Sequence, residues 1–369
     1  MKVLVRVIFF FFLISGVIYA GLKPEYNWDM VAYMGCVMNL EKANTEEAHQ
    51  ETFDALRNEL NQEKYEQLTT LSFREAMKND VSAFNENLAY YNIKSSYVRF
   101  IQLVYKLGFT LTLATVLPSL ICVFLIVLIL FFYLENEFKN SLLAGLISLL
   151  ILYFPQTISL ARISTPDAFS ALILLLVALL YLKKSNWYLL LMLFSITVRT
   201  DNVIWCFMLL LLDTFFDSNP KRRYVLIASS VSCLALYFFL NAHYNNGGWE
   251  VLFYNSFVER QIFPLTTTPS LSLPQYLFTL LKKLPEHIPT FACLILFFLG
   301  IIKKVSIREF LSERYARLII VCAATFCVRF ILFPMLDFRY YYSFLLVLFV
   351  SIVSNRRALF AIDQDKKID

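Results

Sequence analysis

Residues Val7 to Met34 read VIFFFFLISGVIYAGLKPEYNWDMVAYM, and this stretch decides the class of fold. Its first half is apolar enough for a membrane span, and a carboxylate, Asp29, follows a few residues beyond the span. Three aromatic residues that favour the lipid headgroup level surround the acid: Tyr26, Trp28 and Tyr33. We therefore expect Asp29 at the boundary between water and lipid, where ionisable groups are often functional. The alternative is that Asp29 only caps a short interfacial helix starting at Met30.

The composition of the whole chain is that of a polytopic membrane protein. Of 369 residues, 59% are hydrophobic and 17% are charged, and the mean hydropathy is +0.61, which lies outside the range of soluble domains. Because repeated long apolar runs span lipid as helices, we predict an all-α fold. The net charge of +5 fits cytoplasmic loops and, without a basic stripe, does not indicate nucleic acid. Six of the seven cysteines lie in apolar runs. Only Cys36 is expected to lie outside, and one exposed thiol predicts no disulfide framework.

The chain divides into four segments. We predict a first span at 1–23, an extracytoplasmic loop at 24–109 with a small helical cap, a transmembrane bundle at 110–354 with an outer loop at 241–287, and a cytoplasmic tail at 355–369. The first span also resembles a signal peptide, but its long apolar run and poor cleavage site favour an uncleaved helix. Nine further spans bring the total to about ten: 110–134, 141–161, 166–182, 186–198, 202–216, 224–240, 288–302, 316–334 and 340–354.

Lysines and arginines set the predicted orientation. An even number of spans places both termini on one side, and the basic joints place that side in the cytoplasm. The joints carry the following residues: Lys139, Lys183, Lys184, Lys221, Arg222, Arg223, Lys303, Lys304, Arg356 and Arg357. We therefore expect both termini in the cytoplasm and the functional face on the opposite, outer side of the membrane.

The loop at 24–109 contains several helix signals. Asn44 with Glu47, and Ser72 with Glu75, have the spacing of a capping box, so each pair predicts a helix start. Further helices are expected at Val81–Ala89 and at Tyr97–Lys106. The second of these has the pattern of an amphipathic interfacial helix.

Charges of both signs are expected to gather on the outer rim of the bundle. This clustering, where topology disfavours arginine, indicates a polar pocket that opens outward. Each charge taken alone is better explained as a rim residue in water, but this explanation is weaker for the whole group. The residues are Arg162, Arg199, Arg260, Arg329, Arg339, Asp29, Asp167, Asp201, Glu250 and Asp337.

Two rim sequences suit an anionic ligand. In VRTDNV, Arg199 can grip a phosphate in a fork while Asp201 fixes its orientation, or the two residues can simply pair with each other. Asp167 follows a helix-starting Thr-Pro and is a supporting candidate, although a helix start explains this sequence without any further role.

A second group lies late in the chain. Arg329 and Arg339 with Tyr340 suit a lipid-linked phosphate, since arginines can meet the charge while tyrosine rings lie along an isoprenoid tail. An aromatic belt also explains the tyrosine. His243, in the outer loop, is equally well explained as incidental or as a ligand, and three scattered histidines predict no metal site. No motif indicates a cofactor.

This pattern resembles the C-type (GT-C) integral-membrane glycosyltransferases. The shared features are an inward amino terminus, a first outer loop with an Asp close to the first span, interfacial helices in that loop, and a late joint rich in Arg and Tyr. Within the superfamily, YNWDM at Tyr26–Met30 and the loop from His49 to Tyr65 resemble a group of bacterial membrane proteins. The resemblance implies a polyprenyl-phosphate sugar donor, a glycan or lipid acceptor met at the outer face, and inversion at the anomeric carbon.

The resemblance also implies roles for particular residues. Asp29 matches the general base, and Arg199 and Arg339 match positions that hold the donor phosphate. The family's pair of acids at the first-loop site is here a single acid, which favours a mechanism without a metal.

Two other classes of protein remain open. A transporter or flippase of lipid-linked or anionic solutes would use the same arginines along a path, although the sequence has no clear internal repeat. A scaffold of an envelope-synthesis complex would use the helical cap for docking and would need no rim charge.

Overall fold

The structure is a computed structural model, and it is all-α throughout the residues that it describes. These are residues 2–302, 307–335 and 337–365. Among them are nineteen α-helices and no β-sheet, with one isolated parallel bridge between Glu25 and Ile163. The predicted basic joint at Lys303 and Lys304, and residues 366–369 of the predicted tail, lie outside the described residues.

The first ten helices include the predicted cap and the spans around it. They are α1 Lys2–Gly21, α2 Trp28–Glu41, α3 Thr45–Glu59, α4 Gln62–Thr69, α5 Ser72–Asn79, α6 Val81–Asn92, α7 Ser95–Lys106, α8 Leu111–Phe138, α9 Ser141–Tyr153 and α10 Pro155–Arg162.

The remaining helices include one π-helical turn, at Tyr254–Val258. They are α11 Asp167–Leu182, α12 Trp187–Val198, α13 Asn202–Phe216, α14 Pro220–Tyr244, α15 Gly248–Phe253, α16 Leu273–Ile302, α17 Ile307–Ser312, α18 Arg314–Leu332 and α19 Phe338–Asp365.

Five helices are long and apolar enough to cross a membrane: α1, α8, α14, α18 and the Phe338–Asn355 part of α19. A sixth candidate is the pair α9 and α10, which bends by 60° where Pro155 begins the second helix. Three shorter apolar helices, α11, α12 and α13, coincide with predicted spans. The described residues therefore form a multi-pass membrane protein with five or six candidate spans.

Helix α16 begins within the predicted outer loop at 241–287. Its first residue is Leu273. Its first turns read LPQYLFTLLKKLPEH, where apolar residues recur at helical spacing and lysines lie between them. The amphipathic pattern continues directly into the apolar run, so one helix covers both parts.

The chain forms two compact units. The first contains Met1–Leu172, Thr197–Thr200 and Phe238–Thr279, and the second contains Ile173–Ile196, Asp201–Tyr237 and Leu280–Asp369.

In the first unit, α1 packs against α8, α9 and α10. Phe9 stacks on Phe131 with ring centres 4.0 Å apart, and Arg6 forms an ion pair with Glu135 at 2.6 Å. These contacts fix the first span against its neighbours.

The cap of the first unit, α2 to α7, is built around a buried helix. All residues of α2 from Met30 to Met38 are buried, because α3, α6, α7 and α8 surround it. Cys36 is fully buried, so the expectation of an exposed thiol is wrong. At Gly35 a Cβ atom would lie 2.6 Å from the ring of Phe84 on α6, so only glycine permits this close approach.

The predicted cap signals are confirmed in part. Asn44 caps α3, with its side-chain oxygen accepting from the Glu47 amide at 2.7 Å. Helix α5 is present, but Ser72 lies inside it and its N-cap is Leu71, which makes no side-chain capping bond. Helix α6 is capped instead by Asp80, which accepts from the Ala83 amide at 3.0 Å.

Helix α7 is amphipathic, as predicted, and its apolar face packs on the cap and α8. Its polar face holds the end of α2, since Gln102 donates to Glu41 and Lys106 pairs with the same carboxylate at 3.1 Å. These contacts hold the pKa of Glu41 below its usual value.

The second unit contains a buried polar cluster that the sequence did not predict. Asp213 on α13 pairs with Arg317 on α18 at 2.6 Å and accepts from the hydroxyls of Tyr181 and Tyr188. The Arg317 guanidinium also donates to the Ser312 carbonyl at 2.7 Å. A buried ion pair needs such added hydrogen bonds to offset its loss of water, so the cluster fixes the packing of these helices.

Candidate functional site

Asp29 lies in the first turn of α2, but it is not the residue that caps the helix. The N-cap is Asn27, whose side-chain oxygen accepts from the Met30 amide at 3.1 Å, and the helix starts at Trp28. The alternative role for Asp29 as a cap is therefore wrong, because the preceding amide side chain already satisfies that position. The Asp29 carboxylate lies near the positive end of the helix dipole, which favours a negative charge.

A tyrosine of α6 holds the Asp29 carboxylate. The Tyr91 hydroxyl donates to Asp29 Oδ1 at 2.9 Å, and Asp29 is half-buried. The ring of Tyr91 packs edge-on against Tyr33, which packs in turn against Tyr97, with ring centres 5.1 and 4.8 Å apart. A hydrogen bond to a carboxylate is stronger than one between neutral groups, so Tyr91 fixes the orientation of the acid.

The tyrosines around Asp29 stay protonated. Burial raises the pKa of Tyr33 and of Tyr97, and the nearby Asp29 charge raises both further. Lys94 adds a positive charge 4.9 Å from the ring centre of Tyr91. The acid therefore has neutral hydroxyl groups and a cation around it.

The outer loop after α14 is fastened to α6. Glu86 accepts hydrogen bonds from the amides of Leu265 and Thr266, at 2.9 and 3.3 Å, and from the Thr266 hydroxyl at 2.9 Å. The Asn255 side chain donates to the Thr268 hydroxyl at 2.8 Å and also contacts the Tyr90 hydroxyl. These bonds fix residues 255–268 on the cap.

The fastened loop carries Arg260 to the neighbourhood of Asp29. The Arg260 guanidinium lies 3.6 Å from the ring centre of Phe73 on α5, and Phe73 packs edge-on against Trp28, the neighbour of Asp29. Loss of water lowers the pKa of Arg260, while the charge of Asp29 raises it. Arginine stays protonated at any physiological pH, so the site combines a carboxylate with a permanent cation.

Two predicted residues, Asp167 and Arg199, lie together in the first unit. They form an ion pair in which both side chains are almost fully buried. Close by, the Thr197 hydroxyl contacts the Ser96 hydroxyl at the start of α7, at 2.6 Å. Since Tyr97 is the next residue of α7, the segment that leads to Arg199 contacts the helix that also lines the Asp29 site.

The same helix is linked to the start of α11 by further polar contacts. The Tyr97 hydroxyl donates to the Thr115 carbonyl at 3.2 Å, and the Thr115 and Ser164 hydroxyls are 2.7 Å apart. Phe100 packs against Phe169, with ring centres 5.3 Å apart. The start of α7 thus joins the tyrosines around Asp29 to the segment that carries Asp167.

The other predicted phosphate ligands, Arg329 and Arg339, lie in the second unit, and each forms an ion pair with an aspartate. Arg329 pairs with Asp201, and Arg339 pairs with Asp337 at 2.8 Å. The Arg339 guanidinium donates a hydrogen bond of 3.0 Å to the Tyr340 hydroxyl. The Arg329 guanidinium lies 5.2 Å from the ring centre of Tyr340. Arg199 and Asp201 were predicted as a possible pair. Arg199 forms an ion pair with Asp167, and Asp201 forms one with Arg329.

His243 is exposed at the end of α14. Its ring stacks on Phe239 with centres 5.6 Å apart. This contact gives His243 no role in the Asp29 site. Within the described ranges no group of three or more His, Cys, Asp or Glu side chains is arranged to hold a metal ion.

Three residues of the site were not assigned by the sequence analysis: Tyr91, Phe73 and Arg260. Arg260 was noted only as a rim charge, and no local pattern connects it with Asp29. The aromatic pair Tyr90-Tyr91 in a polar loop was the one available signal for Tyr91.

The comparisons with known proteins do not add to this description. No family model, no curated protein and no solved structure matches the chain.

Proposed function

We propose that the protein is a membrane glycosyltransferase of the GT-C type. It transfers a sugar from a polyprenyl-phosphate donor to a cell-envelope glycan or lipid at the outer face of a bacterial inner membrane. The observation that carries the proposal is the half-buried Asp29 carboxylate, held by Tyr91 beside Arg260 on a helical cap next to apolar spans. A general base and a cation near one another are the two groups that this transfer needs.

The proposed reaction uses Asp29 as the base. Its carboxylate takes the proton of the acceptor hydroxyl while the oxygen attacks the anomeric carbon of the sugar. The bond between that carbon and the phosphate oxygen breaks, the configuration inverts, and the polyprenyl phosphate leaves with the bonding electron pair. Tyr91 keeps the base in one orientation, and the reaction in this form needs no metal or cofactor.

The proposed topology has ten spans. Besides the six candidates, it requires that α11, α12, α13 and the apolar part of α16 also cross the membrane. Both termini are then cytoplasmic, and Asp29 faces the exterior. The sequence positions of the basic joints support this orientation.

Arg199, Arg329 and Arg339 stay predicted ligands of the donor phosphate. Each of them already has a carboxylate partner. To bind phosphate, each would have to exchange or share that partner.

The test is transfer by the purified Asp29→Asn variant. The donors are a panel of radiolabelled polyprenyl-phosphate hexoses and pentoses, and the acceptors come from membranes of a strain that lacks the protein. General-base catalysis contributes about 10²- to 10⁴-fold, so the variant should lose that factor in rate. Asp54→Asn, which changes an exposed acid on α3, is the matched control. Equal rates for wild type and Asp29→Asn would remove the basis of the proposal.

One observation favours a second candidate, a transporter or flippase of lipid-linked or anionic solutes. The 60° bend between α9 and α10 is the kind of broken helix that lines solute paths in transporters. Movement of a fluorescent polyprenyl-phosphate sugar across proteoliposomes, without any transfer to acceptor, would identify this function.

A further inference from the structure

A groove on the cap of the first unit is separate from the Asp29 site. Side chains at helical spacing on one face of α6 line it: Ser82, Asn85, Ala89 and Asn92. Tyr244 and Asn245, at the end of α14, and Leu265, in the fastened loop, complete the lining. The groove encloses about 390 Å³, a volume typical of a site for a small ligand.

The groove and Asp29 lie on opposite sides of α6. Ala89 lines the groove, and Tyr91 donates its hydrogen bond to Asp29. Side chains two residues apart on a helix differ in direction by about 200°, so these two point to nearly opposite sides. Since a helix with its side chains is about 10 Å across, a ligand in the groove is separated from the Asp29 carboxylate by about that distance.

The polar groups of the groove are neutral amides and hydroxyls. In the part of the chain that the structure describes, the lining includes no lysine, arginine or histidine. Its acid, Glu86, already accepts three hydrogen bonds from Leu265 and Thr266. A phosphate or another anion would therefore find no partner of opposite charge in the groove.

Three asparagines supply hydrogen-bonding groups that the fold does not use. Among the described residues, the side chains of Asn92 and Asn245 form no hydrogen bond. Asn85 accepts at Oδ1 from the side-chain amide of Asn39 at 3.1 Å, which leaves its own NH₂ group for a ligand. An amide side chain both donates and accepts, and so does a sugar hydroxyl, so these amides match the hydroxyl groups of a sugar.

Contacts with the rest of the cap fix the lining of the groove. Glu86 joins Leu265 to α6, and Asn39 on α2 orients Asn85. Fixed polar groups lose little conformational entropy when a ligand binds. Tyr244 adds an aromatic ring with a polar end, which suits a ligand that has both C–H faces and hydroxyl groups.

We propose that this groove binds a neutral sugar unit of a glycan. Because the groove lies across α6 from Asp29, the sugar that it holds is not the one that reacts. Assigning this glycan to the acceptor rests on the proposed glycosyltransferase function, and the groove then favours a glycan over a lipid as acceptor. The binding itself does not rest on that function, because it needs no proton transfer by Asp29.

The test measures binding to the full-length protein in nanodiscs of zwitterionic lipid by saturation-transfer difference NMR. The neutral probes are maltotriose, mannotriose, xylotriose and tri-N-acetylchitotriose, and the comparison probes are trigalacturonic acid and a triserine peptide. We expect at least one neutral trisaccharide to bind in a saturable manner and more tightly than either comparison probe.

Loss of one neutral hydrogen bond should weaken binding of that trisaccharide about 2- to 10-fold, so we expect this change for Asn85→Ala and for Asn92→Ala. The Asn92 side chain forms no hydrogen bond within the described ranges, so its removal should leave the fold intact. Asn58→Ala, which removes the same amide from an exposed position of α3, is the matched control and should bind like wild type.

Binding and transfer can fail separately. Asp29→Asn should bind the trisaccharide like wild type, because Asp29 lies on the other side of α6, although it loses the rate that a general base supplies. If Asp29→Asn transfers sugar as fast as wild type while the trisaccharide binds as expected, the base assignment is wrong and the groove stands.

Three results would overturn the inference. One is that no neutral trisaccharide binds to wild type. Another is that the peptide or the anionic trisaccharide binds more tightly than every neutral one, which would make the groove a site for that class. The third is that Asn85→Ala and Asn92→Ala, with unchanged circular dichroism, bind as tightly as Asn58→Ala.

Discussion

Glu86 is the residue whose removal should release the outer loop and show that the loop positions the site. Its carboxylate accepts three hydrogen bonds, from the amides of Leu265 and Thr266 and from the Thr266 hydroxyl. In Glu86→Ala the donor groups of Thr266 can form hydrogen bonds with water, because they are exposed. The free energies of the three hydrogen bonds are therefore not fully additive. A hydrogen-bonded charged group contributes about 1.5–3 kcal/mol net, and we take this range for the whole carboxylate.

The assay is hydrogen–deuterium exchange by mass spectrometry on peptides covering residues 254–268. A loss of about 1.5–3 kcal/mol corresponds to about 10- to 150-fold faster exchange of the Leu265 and Thr266 amides. The control is Glu75→Ala, an exposed acid of α5 whose side chain forms no hydrogen bond or ion pair within the described residues. If Glu86→Ala exchanges at the wild-type rate, other contacts hold the loop and the role given to Glu86 is refuted.

Three further changes test the packing of the two units. Gly35→Ala forces a methyl group against the ring of Phe84, so it should destabilise the cap by about 1–3 kcal/mol and lower the apparent melting temperature. Asp213→Asn leaves Arg317 as an uncompensated buried charge, which should cost about 3–5 kcal/mol; a melting temperature equal to wild type would show that the pair is solvated. The pKa of Glu41 is lowered in the fold, so its contribution is complete above the unfolded pKa of about 4.3. It is lost as pH falls through the folded value, and Glu41→Gln should therefore lose less stability than wild type in acid denaturation.

The site has a physical logic that does not depend on the family resemblance. Asp29 is oriented by a tyrosine, and a permanent cation is brought beside it by a loop fastened elsewhere on the cap. Such an arrangement can deprotonate one group and stabilise the charge of another at the same time. Its position on the cap, next to apolar spans, suits a ligand that is partly lipid.

Most helical signals that depend on neighbouring residues are confirmed, although Ser72 does not cap α5. The apolar run of α1, the capping spacing of Asn44 and Glu47, and the amphipathic pattern of α7 all correspond to helices in the structure. The expectation for Cys36 is wrong because its burial depends on segments that are distant in the chain. Cys36 was expected outside, but helices far along the chain bury it.

The sequence by itself determined that this is a helical membrane protein with an acid just beyond the first span. Run length, hydrophobicity and helix period are local properties, so they can be read from neighbouring residues. Only the tertiary structure decided which groups Asp29 meets. Its hydrogen-bond partner, Tyr91, lies 62 residues away, and Arg260 reaches the site through a loop that Glu86 and Asn255 hold. Contacts of this kind depend on how helices pack in space, and no periodicity in the chain encodes them.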